Sequence, residues 1–183
     1  MRNPFLYPGF RVLLLFSKDP YREFYLREVA KRARVSSSTA KRFLDFYVEG
    51  GLLEKQKKAN LALFKANVEN LTFRHIKIGY FLMGLSSLVS NLREVYPNAS
   101  IILYGSCARG EDEPHSDIDL LIISGRKERM EFSVFEKHLG RKINTLVFEP
   151  YEWEEKAKKD RAFYERILID GIPLQGSLPV VKM

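Results

Sequence analysis

Two aspartates, Asp117 and Asp119, stand one residue apart in the mostly apolar stretch LYGSCARGEDEPHSDIDLLI, which spans residues 103–122. Burying a carboxylate is costly unless it is paired or binds a metal, so two carboxylates on one strand require a shared partner. Residues two apart on a strand project from the same face. Hard oxygen ligands that lie close together suit Mg²⁺, which keeps water and phosphate oxygens in its coordination shell. The spacing therefore predicts a divalent-metal site at these two side chains.

The turn before the two acids predicts a phosphate-binding site. Gly105 and Ser106 follow the apolar run at residues 99–104. Glycine lets a phosphate chain approach the backbone closely, and amides at the start of a helix point towards an anion. Ser106 can donate its hydroxyl, and Arg109, one turn later, can add a charge-assisted contact. A metal site beside such a turn indicates nucleotidyl transfer from a nucleoside triphosphate with two metal ions.

Several elements must position this site. The run at 99–104 is typical of a buried strand, and a short helix and a polar loop lead from it to a second strand at 116–123. The stretch RKINTLVFEP, residues 141–150, predicts a neighbouring strand. A helical pattern over residues 152–168, followed by Gly171 and Pro173, predicts a helix that covers the sheet.

The order of these residues resembles the signature of minimal nucleotidyltransferases in the DNA polymerase beta-like superfamily. The matching residues are the Gly-Ser pair at 105–106, Ala-Arg-Gly at 108–110 and Ser-Asp-Ile-Asp-Leu at 116–120. The resemblance covers about residues 85–176 and implies a small mixed-sheet α/β domain over residues 99–183. It implies ATP or another nucleoside triphosphate as substrate, and Mg²⁺ as cofactor. It implies nucleotide binding by Gly105, Ser106, Arg109 and Ser116, and catalysis and metal binding by Asp117 and Asp119.

The sequence departs from the family at one position. The family's catalysts carry a third carboxylate on a neighbouring strand, and Asn144 stands where that aspartate is expected. An amide oxygen can still act as the third metal ligand, but an amide is a poor general base. Glu149 could replace the missing acid only if the chain bulges, because strand alternation puts it on the opposite face. Enzymatic activity and nucleotide binding without fast catalysis therefore both remain open.

The formal charge of +7 comes entirely from the first part of the chain. Residues 1–70 contain 14 Lys and Arg against 7 Asp and Glu, whereas residues 71–183 contain 16 of each kind. A basic segment of this size indicates a polyanionic partner, because Lys and Arg contacts to phosphates release counterions. A solvated basic surface is the alternative.

The basic segment has its own pattern of elements. A helix around residues 10–17 is followed by a second with apolar Leu26 and Val29, and by a third that starts after a serine cap and ends at Gly50. The stretches LLEKQ and LALFKAN then predict a hairpin with its tip at residues 58–60. Three helices and a hairpin over residues 10–68 resemble a winged helix-turn-helix, so we expect a DNA-binding domain at 1–70.

In such a domain, the resemblance implies that the third helix enters the major groove and that the hairpin contacts the DNA backbone or minor groove. The implied DNA-binding residues are Ser37, Ser38, Thr39, Lys41, Arg42, Lys55, Lys57 and Lys58. Protein docking is the alternative role of this fold.

A long helix is expected between the two domains, within residues 71–98. Its apolar residues recur at helical spacing, and Gly84 with the serines at 86–87 marks a weak point. This face could form part of the core or the seam of a homodimer. The fold class expected for the whole chain is α+β or α/β, a winged helix joined by a long helix to a small mixed sheet.

Three functions from different classes fit these observations. The first is an enzyme that transfers a nucleoside monophosphate from ATP to a hydroxyl. The second is a transcriptional regulator whose transferase-like domain is a catalytically weak or inactive nucleotide sensor. The third is an antitoxin-like partner of a HEPN-type toxin, a role that only the resemblance implies.

Composition excludes other classes. A hydrophobic content of 45% is sufficient for real cores, which excludes disordered and fibrous chains. No apolar run reaches membrane-spanning length, and no signal peptide precedes the first helix. The single cysteine, Cys107, cannot form an internal disulfide. We therefore expect a cytoplasmic protein without a membrane partner.

Overall fold

The computed structural model describes residues 7–58, 61–128 and 130–181. The chain forms two compact units, and the boundary between them falls after Lys77. Among the described residues, no helix combines the length and the apolar character needed to cross a membrane.

Among its described residues, the N-terminal unit contains three complete helices, the beginning of a fourth, and a three-stranded antiparallel sheet with the strand order β1-β3-β2. Its elements are α1 (Pro8–Lys18), β1 (Phe24–Tyr25), α2 (Leu26–Ala33), α3 (Ser37–Glu49), β2 (Leu53–Lys58) and β3 (Leu61–Ala66). The predicted hairpin is confirmed, with Lys58 paired to Leu61 at its end. Residues 59 and 60, the rest of the predicted tip, lie outside the described residues. The winged-helix interpretation of this order stays a prediction.

Local chemistry explains how α3 begins. The preceding helix ends at Arg34, which adopts a left-handed conformation with φ 52° and closes the helix with a backbone hydrogen bond. Ser36 then caps α3, because its Oγ accepts a hydrogen bond from the Thr39 amide at 3.1 Å. Behind this turn, Val29 and Leu44 are fully buried in the core of the unit. The serine cap predicted from the sequence is therefore confirmed.

The single helix expected within residues 71–98 is instead two helices, α4 (Leu71–Gly84) and α5 (Ser86–Val95). Leu85 interrupts the helix and is itself fully buried, and its amide donates to the carbonyls of Phe81 and Leu82. The break coincides with the weak point that Gly84 and the serines predicted. Glycine and serine destabilise a helix interior, which explains why the helix breaks at this point.

The C-terminal unit is built on a small mixed sheet with the strand order β6-β5-β4-β7. Its further elements are β4 (Ser100–Tyr104), α6 (Ser106–Arg109), β5 (Ile118–Ile123), α7 (Ser133–Leu139), β6 (Ile143–Phe148), α8 (Pro150–Lys159), α9 (Arg161–Asp170) and β7 (Ile172–Gln175). Strands β5 and β6 are parallel, while β4 is antiparallel to both β5 and β7. The expected mixed sheet with helices is confirmed.

Both faces of this sheet are covered. Residues such as Ile101 and Leu120 pack on one face with Leu88 of α5, whereas Ile102 and Leu121 pack on the other with α8 and α9. The prediction of a single covering helix over 152–168 is wrong. Asp160 ends α8, and its side chain accepts a hydrogen bond from an amide in the first turn of α9.

Candidate functional site

The two aspartates lie at the start of β5. The strand begins at Ile118, so Asp117 directly precedes it and Asp119 is its second residue. Ile118 and Leu120 are fully buried in the core on one face of the sheet. Because side chains alternate along a strand, Asp119 points to the other face, where Leu121 packs with α8 and α9.

Asn144 joins the two aspartates. In the parallel pairing of β5 with β6, Asn144 is the register partner of Asp119. Its Nδ2 donates to Asp117 Oδ2 at 3.1 Å and to Asp119 Oδ1 at 3.2 Å. Asn144, the predicted third metal ligand, is therefore within hydrogen-bonding distance of both aspartates.

Glu149, the alternative third acid, has a different role. It follows the end of β6, five residues beyond Asn144, which corresponds to roughly 16 Å along a strand. It caps α8 in a capping box, in which its side chain accepts from the Glu152 amide and its own amide donates to Glu152 Oε2 at 2.8 Å. Its side chain is therefore occupied at the helix end.

Gly105 brings the turn close to the acids. Its φ is 75°, a conformation that favours glycine, and a Cβ at this position would lie 2.5 Å from Asp119 Oδ2, so any other residue would also displace that carboxylate. The next element, α6, is only four residues long. Any phosphate contact here therefore depends on the amides of the turn and on the Ser106 hydroxyl, more than on a helix dipole.

A buried polar network supports the backbone of Asp117. The Cys107 thiol donates to the carbonyl of Asp117 at 3.3 Å, and Arg141 Nη1 donates to Cys107 Sγ at 3.4 Å. Arg141 Nη2 also pairs with Asp112 Oδ2 at 2.8 Å, and these side chains are only 12% and 3% exposed. Burial, and next the nearby Asp112 carboxylate, raises the pKa of Cys107 to about 12, which keeps the thiol protonated as a donor.

Sequence reasoning missed this network. Arg141 and Asp112 are 29 residues apart, and neither belongs to the motif. The acidic residues at 111–113 are typical of a solvated loop or of one that modulates metal entry. An isolated arginine just before a predicted strand carries no signal of burial.

Two of the predicted nucleotide-binding residues have intramolecular partners. Arg109 Nε donates to Glu111 Oε2 at 2.7 Å, and its Nη1 lies 3.6 Å from Asp170 Oδ2. The hydrogen bond with Glu111 is the largest cause of a raised pKa for Arg109, which is therefore charged. Ser116 Oγ accepts from the Glu113 amide at 2.9 Å and closes the loop that leads to Asp117.

A cavity of about 260 Å³ opens beside the Gly105 turn. Tyr104, which pairs with Asp119 across the two strands, packs edge-to-face on Phe163 with ring centroids 5.6 Å apart. Burial, and next the negative charge of Asp119, raises the pKa of Tyr104 to about 12. The residues that line the cavity are Tyr104, Gly105, Arg109, Phe163, Arg166, Ile167 and Asp170. The sequence did not predict that α9 contributes to this site.

The donor set fits a hard divalent ion. Two carboxylates and one side-chain amide converge, and rotation of the Asn144 amide would exchange its Nδ2 for an oxygen ligand. Gly105 leaves the side of Asp119 open, since a Cβ would fill that space. Within residues 7–58, 61–128 and 130–181, no group of three or more His, Cys, Asp and Glu side chains could hold a metal. Asn144 is thus the third member that this set offers.

The predicted DNA-binding residues of the N-terminal unit lie on α3 and β2. Asp45 brings the two elements together, because its carboxylate lies 3.2 Å from Lys41 Nζ and 3.7 Å from Lys55 Nζ. Ser38 and Thr39 share hydrogen bonds with the capping serine. The exposed members of the predicted set are Ser37, Ser38, Lys41, Arg42, Lys55, Lys57 and Lys58.

Comparison with known families agrees with the geometry of the C-terminal unit. Residues 85–169 match the family model described as a nucleotidyltransferase domain. A search of curated proteins found no match for the chain. The matched residues include the Gly105 turn, both aspartates and Asn144, so this part of the chain is similar to a nucleotidyltransferase domain.

Proposed function

We propose that the C-terminal unit binds ATP or a related nucleoside triphosphate with Mg²⁺ and transfers the nucleoside monophosphate to a hydroxyl group, with pyrophosphate as the leaving group. The observation that carries this proposal is the convergence of Asp117, Asp119 and Asn144 beside the Gly105 turn. The nucleotidyltransferase match over the same residues supports it.

Each residue has a role in this proposal. Asp117 and Asp119 hold the divalent ion, and the amides of Gly105 and Ser106 bind the phosphate chain. The ion supplies charge stabilisation to the transferred phosphoryl group and to the attacking oxygen. Arg109 can add a charge-assisted contact once a phosphate competes with its carboxylate partners.

Asn144 limits the rate in this proposal. A third carboxylate would add charge to the metal site and could accept a proton from the acceptor hydroxyl, whereas a neutral amide does neither efficiently. Slow transfer, or nucleotide binding without transfer, is therefore expected. A sensor role is the second candidate, and it is favoured by the two hydrogen bonds that Asn144 donates to the aspartates.

Titration calorimetry of ATP, with and without Mg²⁺, tests the proposal without knowledge of the acceptor. We expect Mg²⁺-dependent binding by the wild type and its loss in Asp117→Asn. Glu155→Gln is a matched control, because this acid is 65% exposed on α8 and pairs only with Lys159 among the described residues. Equal binding by Asp117→Asn and the control would reject the proposed site.

We further propose that the N-terminal unit binds DNA through α3 and the β2–β3 hairpin. Exposed basic side chains on both elements, together with the positive charge of residues 1–70, support this role. Each lost phosphate contact reduces the steepness of the plot of log association constant against log salt concentration by about 0.9. Removing both Lys41 and Arg42 should therefore reduce it by about 1.8.

The matched control replaces Lys158 and Lys159 of α8 with alanine, which removes the same charge from the other unit. If the Lys41→Ala/Arg42→Ala double variant keeps the wild-type salt slope, protein docking is the better function for this unit.

A HEPN-type toxin as the acceptor of the C-terminal unit is a narrower proposal that rests on resemblance. Transfer of labelled nucleotide to such a protein would test it directly.

A further inference from the structure

Helix α9 presents two charged side chains to the cavity, and their partners differ. Asp170 lies four residues after Arg166, but its carboxylate approaches Arg109 at 3.6 Å. Arg166 donates from Nε to the Ala162 carbonyl at 3.3 Å and interacts electrostatically with the Asp160 carboxylate, but within the described residues it forms no direct ion pair. By contrast, three other basic residues of α8 and α9 pair with an acid four positions away, namely Lys156, Lys159 and Arg161.

A guanidinium at a cavity wall that forms no direct ion pair can bind an anion. Arginine presents several N–H donors in a planar fork that matches the oxygens of a phosphate. The same cavity contains the Arg109 guanidinium and the Gly105 turn. Two carboxylates, Glu111 and Asp170, face Arg109, so an incoming anion must compete with them.

We propose that this cavity binds a phosphate group, with Arg109 and Arg166 as its two guanidinium ligands. Asp170 is the carboxylate that a bound phosphate displaces from Arg109. The inference rests on the proposed function, because the Gly105 turn lines the cavity. The phosphate belongs either to the end of the nucleotide's triphosphate chain or to a phosphorylated acceptor.

Calorimetry with sodium tripolyphosphate, in EDTA and at low salt, tests the cavity on the full-length protein. The probe has neither base nor sugar, and the absence of divalent ions removes the contribution of the aspartate site. Arg166→Gln should weaken binding by roughly 10- to 100-fold, the value expected for a lost charge-assisted hydrogen bond. Arg161→Gln is the control, since this arginine is 71% exposed on the same helix and pairs with Glu165. Wild-type affinity in Arg166→Gln, or an equal loss in both variants, would overturn the proposal.

Asp170→Asn gives a test of opposite sign. This change leaves the size of the side chain almost unchanged and removes one of the two carboxylates that face Arg109, so tripolyphosphate should bind more tightly. Weaker binding of tripolyphosphate by Asp170→Asn would therefore contradict the proposal.

Nucleotides distinguish the two sources of the phosphate. Weaker ATP binding with unchanged AMP binding in Arg166→Gln assigns the cavity to the triphosphate chain. Unchanged ATP binding with weaker tripolyphosphate binding assigns it to a phosphate on the acceptor. The proposed function can fail independently of this proposal. If the wild type binds tripolyphosphate but shows no Mg²⁺-dependent ATP binding, the proposed function is rejected and the phosphate site in the cavity is retained.

Discussion

The substitution Asn144→Asp is the most direct test of the predicted metal site. In the wild type, Nδ2 of Asn144 lies 3.1 Å from Asp117 Oδ2 and 3.2 Å from Asp119 Oδ1, and it donates to both. A carboxylate in its place turns two attractive contacts into two repulsive ones. Without metal, the variant should therefore unfold more easily than the wild type.

The magnitude follows from these distances. Two unit charges 4 Å apart repel by about 1 kcal/mol in water and by about 4 kcal/mol at an effective dielectric constant of 20. Asn144 is exposed and the two aspartates are half-buried, so the lower part of this range applies. Two such pairs give about 2–4 kcal/mol beyond the hydrogen bonds that are lost. Asn144→Ala is the matched control, because it removes the same hydrogen bonds without adding charge.

Thermal unfolding in EDTA and in Mg²⁺ or Mn²⁺ measures the effect. In EDTA, Asn144→Asp should melt about 5–15 °C below Asn144→Ala, at about 2–4 °C for each kcal/mol. With excess divalent ion this gap should shrink or close, since an ion at 100 times its Kd adds about 2.7 kcal/mol to the folded state of the variant that binds it. Equal melting temperatures in EDTA, or equal stabilisation of both variants by metal, would refute the reasoning.

Three further predictions concern other sites. Arg141→Met removes the guanidinium that pairs with the buried Asp112 carboxylate at 2.8 Å, so the free energy of unfolding in urea should fall by about 3–5 kcal/mol, and a loss below about 1 kcal/mol would contradict a stabilising buried pair. Cys107, with a pKa of about 12, has very little thiolate at pH 8, so iodoacetamide should label the native protein more than about 100-fold more slowly than the unfolded chain. Equal labelling rates would show that the thiol is neither buried nor protonated. Asp45→Asn should tighten DNA binding and steepen its salt dependence, because it removes the carboxylate that faces Lys41 and a second lysine. Weaker DNA binding by this variant would exclude the predicted face of α3.

Part of the candidate site could be predicted from the sequence because its main residues are close in the chain. The Gly105 turn and both aspartates lie within one stretch of 20 residues, and strand alternation alone places the two acids on one face. The position of Asn144 came from the family resemblance, and the parallel register of β5 and β6 agrees with it. The hairpin and the serine cap of the N-terminal unit were also readable, since turns and caps depend on neighbouring residues.

The ends of helices were harder to predict from the sequence. The periodicity of apolar residues continues through Leu85 and through Asp160, and it predicted one helix in each region where there are two. The break at Leu85 accompanies complete burial of that side chain, and the break at Asp160 accompanies a cap. Both breaks have a local signal, Gly84 with the neighbouring serines in one case and the Asp160 cap in the other, but the apolar periodicity alone does not contain it.

The amino-acid sequence by itself determined the types and spacing of the groups that can bind metal and phosphate, and the positive charge of the first 70 residues. The tertiary structure alone decided what surrounds them. It placed Arg141 under the loop that carries Asp117, and it brought Arg166 of α9 to the cavity beside Gly105. The physical reason is range: turns, caps and strand alternation act between neighbours in the chain, whereas buried ion pairs and cavity walls form only when distant segments pack together.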